Sequence, residues 1–173
     1  DPLSDLRTYW GNLLGQATQI EVPDELLMNV IRASQVHCLM AARNEANGEL
    51  IAPWIASISY GPLESEANAI IRGMDLLGHD EFARRSFDYF ISKYDPSGML
   101  TTGYTLMGTG WHLQTLGQHY RLWRDQDWMK RVSPKVATAC ACIDRQRRKS
   151  LEGPGDVSKN PHYGLAPPGV MAD

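Results

Sequence analysis

Apolar residues recur at helical spacing along most of the chain. Between residues 24 and 44, for example, Leu27, Val30, Ile31 and Cys38 fall on one face, at i, i+3, i+4 and i+11. Glycine, proline and aspartate mark the breaks between such stretches. The pattern predicts a single all-α domain over residues 1–173, with helices at about residues 3–14, 24–44, 62–78, 80–94, 111–124 and 126–148 and a loop tail at 150–173.

Two long segments lack this periodicity. Residues 50–60 are rich in β-branched and aromatic side chains but are interrupted by Pro53, which indicates an extended loop that is partly strand. Residues 99–110 are rich in glycine and predict a second extended loop. Within the last helix, Pro134 is expected to cause a kink or a break.

A repeat at a spacing of 46 residues organises the chain. Residues 76–85 align with residues 122–131, and both read as helix, tight turn, helix. A long loop with glycine and an aromatic residue at its end precedes each unit. Two-helix repeats of this length are typical of helical solenoids and of closed helical rings. Because both long loops lie on the same side of the hairpins, they favour a binding face over a plain scaffold.

Charge and composition narrow the possible partners. The 17 basic and 20 acidic residues give a net charge of −3 and are spread along the chain, so the sequence lacks the basic stripe of a nucleic-acid-binding protein. No segment approaches the roughly 20 apolar residues of a membrane span, and none resembles a signal peptide, so we expect a soluble protein of unknown compartment. The three cysteines are expected to be reduced core thiols. The histidines form no metal motif with them, and we predict neither a metal nor another cofactor.

The two long loops and the helix starts that follow them carry the candidate site. Aromatic faces beside carboxylates suit sugars, whose rings have apolar CH faces and polar hydroxyls. The predicted sugar-binding residues are Trp54, Tyr60, Glu66, Tyr104, Trp111 and His112. Simpler roles stay open, because Trp54 and Trp111 would serve equally well as core residues beneath their loops.

Two acids are candidates for catalysis, because hydrolysis of a glycosidic bond usually needs a pair of carboxyl groups. Glu64 and Glu66 both lie in the first turns of a predicted helix, where the helix dipole favours negative charge whatever the function. Being two residues apart, they point in different directions, and at most one faces a central cleft. We therefore predict Glu64 as one catalytic acid and Asp173 as the second.

Several segments together resemble the six-hairpin glycosidases, which include glucoamylase-like, trehalase-like and rhamnosidase-like enzymes. The segments are residues 60–66, the hairpin at 73–94, the loop residues 102–104 and 108–112, and residues 164–169. The resemblance implies a ring of twelve helices, an (α/α)6 toroid, with the active site in a funnel at the N-terminal ends of the inner helices. It also implies a carboxylic general acid and a second carboxylate that activates water, usually with inversion.

With only five or six helices, the chain is expected to be the N-terminal part of such a toroid. Its site would be completed by sequence beyond Asp173, so the isolated chain should be inactive, and its exposed helices should pack on the rest of the parent chain or self-associate. The predicted partner is a carbohydrate, and the predicted function is glycoside hydrolysis. Two alternatives stay open: a helical-repeat scaffold whose loops bind another protein, and a sugar lyase or epimerase that uses histidine or tyrosine as its base.

Overall fold

A computed structural model of the chain describes residues 1–54, 61–102, 106–151 and 161–166. These residues form six α-helices and one short β-hairpin, so the prediction of a mostly helical fold is confirmed. No helix in these ranges is long and apolar enough to cross a membrane.

The first two helices are held together loosely. Helix α1 is Pro2–Gly15 and helix α2 is Glu25–Ala41. Aspartates cap both N-termini, because Asp1 accepts from the amide of Leu3 at 3.2 Å and Asp24 accepts from that of Leu27 at 3.0 Å. Neither helix buries an apolar side chain, and the one buried residue of α2 is Gln35.

A β-hairpin follows α2 where the sequence predicted the end of the helix and a loop. Strand β1, Arg43–Glu45, pairs antiparallel with strand β2, Leu50–Ala52. All three residues of the connecting 3₁₀ turn, Ala46–Gly48, have positive φ, at 48°, 55° and 93°. This conformation favours the asparagine and glycine at its second and third positions. The hairpin packs against a later helix, α4. The predicted helix over 24–44 is therefore about three residues too long.

Two helical hairpins form the body of the fold. Helices α3, Glu64–Leu76, and α4, Asp80–Ile91, make the first, and a tight turn with Gly78 at φ 89° joins them. Helices α5, Leu106–Trp123, and α6, Gln126–Lys149, make the second. Helix α3 packs beside α5 and α4 beside α6, so the two hairpins stack in register, as the repeat predicted.

Two details of the second hairpin differ from expectation. Helix α5 begins at Leu106, five residues before the predicted start, so Gly108 and Gly110 are helical and the preceding loop is shorter. Helix α6 is not interrupted by Pro134. Proline leaves the carbonyl of Lys130 without its usual amide donor, and the hydroxyl of Ser133 donates to that carbonyl instead, at 3.1 Å.

The core lies between the two hairpins. Phe87 and Phe90 of α4 are completely buried and meet apolar side chains from α3, α5 and α6, among them Ile71, Leu116, Trp128 and Val132. Leu100, in the loop before α5, also belongs to this core, and its amide donates to the hydroxyl of buried Thr109 at 3.0 Å. The loop is thereby fixed to the first turns of α5, at the end of the hairpins where the candidate site was predicted.

Candidate functional site

The interface between α3 and α5 carries polar residues in matching positions. Glu64, Asn68 and Asp75 of α3 fall at i, i+4 and i+11, and Gly108, His112 and His119 of α5 repeat that spacing. Glu64 contacts Gly108 at one end, and Asp75 pairs with His119 at the other, so α3 and α5 run parallel with a constant offset along the chain. This polar seam joins the two hairpins.

Glu64 is a buried carboxyl at the N-terminus of α3. Its residue is only 4% exposed, and its Oε2 accepts from the hydroxyl of Thr102 at 3.3 Å. Its carboxyl group lies against the backbone of Gly108, in space that a Cβ at that position would occupy. The carboxyl group is therefore enclosed from three sides, by the N-terminus of α3, by the loop that carries Thr102 and by α5.

This enclosure changes the acidity of Glu64. Burial raises the pKa of the Glu64 carboxyl above its ordinary value, because the charged form loses solvation. Hydrogen bonds from its own backbone amide and from Thr102 lower that pKa, and the nearby charge of Glu66 adds a small rise. Since burial is the largest effect, Glu64 holds its proton to a higher pH than a glutamate in water, which is the property of a general acid.

Glu66, predicted as a sugar contact, has a different environment. It is half-buried, and its Oε2 accepts from the hydroxyl of the adjacent Ser65 at 2.5 Å. The two glutamates therefore differ as their spacing predicted, with Glu64 directed towards α5 and Glu66 bonded within its own turn.

The two described tryptophans of the predicted site occupy distinct positions. Trp111 lies one turn beyond Gly108 on α5 and is 39% exposed, so its ring is open to a ligand at the same end of the seam as Glu64. Trp54 follows β2 and is half-buried, and the guanidinium group of Arg43 lies over its ring at 4.6 Å from the centroid. Arg43 thus covers one face of Trp54, which favours a structural role for this ring.

His112, predicted as a sugar contact, is inside the protein. Its residue is completely buried, and its ring lies 5.6–5.9 Å, centroid to centroid, from Phe87, Phe90 and Tyr94. Burial lowers the pKa of His112 to about 3, so the ring is neutral at physiological pH. Because α5 begins earlier than expected, His112 lies inside the helix, which turns this side chain towards Phe87 and Phe90 of α4. In this position the ring has no access to a ligand.

The far half of the seam contains a polar network that the sequence analysis missed. Asp75 Oδ1 accepts from His119 Nδ1 at 2.9 Å and from the indole of Trp123 at 2.6 Å. Asp75 and His119 are both buried, and the edge of the His119 ring meets Trp128. The signal that would have revealed them is the polar spacing i, i+4, i+11 within otherwise apolar helix faces.

Asn68 lies between the two ends of the seam. It is completely buried, and neither its amide nitrogen nor its carbonyl oxygen has a hydrogen-bond partner among the described residues. The constant offset of the seam puts Asn68 level with His112, whose ring nitrogens also lack partners there. Burying polar groups without hydrogen-bond partners costs free energy. Packing alone therefore does not explain why polar side chains occupy the middle of the seam.

Three predicted site residues, Tyr60, Tyr104 and Asp173, lie outside the described residues. Asp95 lies in the turn after α4, where its carboxylate accepts from Ser97 and Met99. Of the three thiols, which are all free, Cys142 is buried but Cys140 is exposed and is therefore not a core residue. Within the described ranges, no three His, Cys, Asp or Glu side chains come together as possible metal ligands.

Comparison of the chain with protein-family models, with curated proteins and with solved structures gave no significant match. The resemblance to six-hairpin glycosidases therefore stays a prediction from the sequence.

Proposed function

We propose that this chain forms part of the active site of a carbohydrate-active enzyme, a glycoside hydrolase in which Glu64 is the general acid. The observation that carries the proposal is the enclosed Glu64 carboxyl with its raised pKa. Cleavage of a glycosidic bond at neutral pH needs a carboxyl group that still holds a proton to give to the leaving oxygen. A carboxylate that served only to interact with the helix dipole could stay exposed to solvent and would not need to be buried.

Trp111 supports a sugar as the substrate. Its exposed ring lies on α5, one turn from the glycine that the Glu64 carboxyl contacts. Aromatic rings stack on the CH faces of pyranoses, so Trp111 would position a sugar ring beside the acid. In this proposal Trp111 binds and orients the substrate and Glu64 transfers the proton.

The second carboxylate must come from another part of the protein. Glu66 is too close along the helix to face Glu64 across a sugar, and its carboxylate accepts from Ser65. Asp173 stays our candidate for the base that activates water. A carboxylate separation of roughly 5 Å would imply retention of configuration and one of about 6.5–9.5 Å inversion.

The test is sugar release by the full-length natural protein. Aryl glycosides and oligosaccharides are offered to the wild type and to Glu64→Gln, Glu66→Gln and Trp111→Ala. We expect Glu64→Gln to lower kcat by a factor on the order of 10² to 10⁴ and Trp111→Ala to raise KM. Glu66→Gln is the matched control: Glu66 is predicted to contact the sugar but not to transfer a proton, so its loss should change KM and leave kcat close to that of the wild type. Equal activity of the wild type and Glu64→Gln would refute the assignment.

The scaffold alternative is favoured by one observation, the exposed apolar residues of α1 and α2. Their exposed fractions run from 46% to 73%, and the residues are Leu3, Leu6, Tyr9, Leu26, Leu27, Val30 and Met40. Such a surface is typical of a helix that packs on another chain or on more of its own. A full-length protein that neither cleaves nor binds any sugar would favour this function.

The lyase or epimerase alternative needs an accessible base. His112, the histidine predicted at the site, is enclosed by aromatic rings and does not meet that need. The other candidate bases, Tyr60 and Tyr104, lie outside the described residues, and the alternative stays open for a tyrosine base.

A further inference from the structure

A cavity of about 350 Å³ lies at the opposite end of α3 from Glu64, beside the tight turn that leads into α4. Its walls come from α1, the end of α2, both strands of the hairpin and the first turns of α4. It shares no lining residue with the Glu64 site. Its volume falls within the range of small-molecule sites. The side chains that could contact a ligand through aromatic rings or polar groups include Tyr9, Trp10, Asn44, His79, Glu81 and Arg85.

Two aromatic rings form one wall. Tyr9 and Trp10 of α1 meet edge to face, with centroids 5.2 Å apart and an interplanar angle of 79°. Tyr9 is 58% exposed. A large aromatic ring left this open in a helix without buried apolar residues contributes little to the core, and it is available for a flat apolar surface of a ligand.

Other lining residues offer polar groups in fixed positions. Arg85 Nη2 donates to Asn44 Oδ1 at 3.1 Å and also to the carbonyl of Gly48, so it ties α4 to the β-hairpin. Asn44 keeps its amide nitrogen as a donor. His79 Nε2 lies 2.8 Å from Gln35 Oε1, which can only accept, so this nitrogen carries the proton and Nδ1 is an acceptor.

The charges of the lining disfavour an anionic ligand. Its one cation, Arg85, lies 3.7 Å from Glu81 and bonds to Asn44 and Gly48, so it is already balanced. Asp80, at the start of α4, adds a carboxylate, which repels anions and accepts from hydroxyl groups. A ligand with hydroxyl donors and acceptors, an apolar face and no negative charge would match these walls.

We propose that this cavity is a second, non-catalytic binding site for a neutral sugar, which stacks on the Tyr9 and Trp10 rings and hydrogen-bonds to Asn44, His79 and Asp80. This site goes beyond the proposed function and does not depend on it, because the two sites lie at opposite ends of α3. A chain without glycosidase activity would keep it.

The test is an NMR titration of the 173-residue chain with maltose, cellobiose and glucuronate. We expect saturable shifts with at least one disaccharide at the amides of residues 9–10, 44 and 78–81. Tyr9→Ala should weaken binding about tenfold, as expected for loss of one stacking ring. Asn44→Asp keeps the oxygen that holds Arg85 but removes the amide donor and should weaken binding similarly. Glu64→Gln and Trp111→Ala are the controls and should leave the affinity unchanged.

Several results would overturn the inference. They are the absence of saturable binding by both disaccharides, tighter binding of glucuronate than of either, and binding lost in Trp111→Ala but retained in Tyr9→Ala. Because Tyr9 is exposed, its truncation should not unfold the chain, and circular dichroism checks this. If the protein shows no Glu64-dependent hydrolysis but still binds a disaccharide in the titration, the proposed function would be refuted and the second binding site would be supported.

Discussion

The carboxyl group of Glu64 on α3 lies directly against the backbone of Gly108 on α5. This contact explains why a glycine, normally unfavourable inside a helix, occupies the first turns of α5. It also explains the burial of Glu64, since the approach of the two helices removes water from the carboxyl. One contact thus links the packing of the two hairpins to the acidity of the proposed catalytic residue.

Replacing Gly108 by alanine should displace Glu64. The new Cβ would overlap Oε1, Cγ and Cδ of the glutamate, so we expect a loss of about 1–3 kcal/mol in the free energy of unfolding. The measurement is urea denaturation. Gly117→Ala is the control, because Gly117 lies in the same helix with no heavy atom near its Cβ position, and it should stabilise by up to about 1 kcal/mol. If both variants changed the free energy of unfolding in the same direction, the result would contradict a contact between Glu64 and Gly108.

Pro134 and Ser133 should be energetically coupled. The Ser133 hydroxyl donates to the Lys130 carbonyl that proline leaves without an amide donor. We expect Ser133→Ala to cost about 1 kcal/mol in the wild type and much less in Pro134→Ala, where the restored amide takes over. A double-mutant cycle of thermal unfolding measures this coupling. A coupling energy of zero would show that the hydroxyl does not compensate for the proline.

His112 should make the fold sensitive to acid. Its pKa of about 3 in the folded chain lies below the ordinary 6.5, so between these values the unfolded state binds a proton that the folded state refuses. Stability is therefore lost as the pH falls through this window, by about 1.4 kcal/mol per pH unit. From pH 6.5 to about pH 5 the loss is about 2 kcal/mol.

His112→Leu should remove this loss, because leucine suits the aromatic surroundings and does not titrate. The free energy of unfolding of both proteins is compared at the two pH values. Glu64 acts in the opposite direction, because its raised pKa stabilises the folded chain as the pH falls, but it is common to both proteins and cancels. An unchanged acid dependence in His112→Leu would show that the ring is not the source.

The structure shows which features were predictable from local signals. Helices α3, α4 and α6 begin and end within three residues of the prediction, because their limits depend on nearby residues such as the Asp125 cap and left-handed Gly78. The start of α5 was wrong because glycine in sequence indicates a loop, whereas Gly108 is required by a contact with another helix. Strand β2 lies in the segment predicted to be partly strand. Strand β1 was missed, because its extended conformation depends on pairing with β2, which packs against α4.

In the candidate site, too, local features could be predicted from the sequence, whereas features that depend on contacts between helices could not. The contrast between Glu64 and Glu66 followed from helical geometry, but the position of His112 depended on where α5 begins. The polar spacing i, i+4, i+11 marks Asp75 and His119 as seam residues, but their pairing with each other depends on the offset between the two helices.

The most direct test of this account is the pKa of Glu64, measured by carbon-13 NMR titration of its carboxyl carbon in the 173-residue chain, with Glu64→Gln to assign the resonance. We predict a value above the 4.5 of an unperturbed glutamate, since burial outweighs the hydrogen bonds to the carboxylate. A value at or below 4.5 would mean that Glu64 gives up its proton as readily as a surface glutamate, and it would contradict the assignment of Glu64 as the general acid.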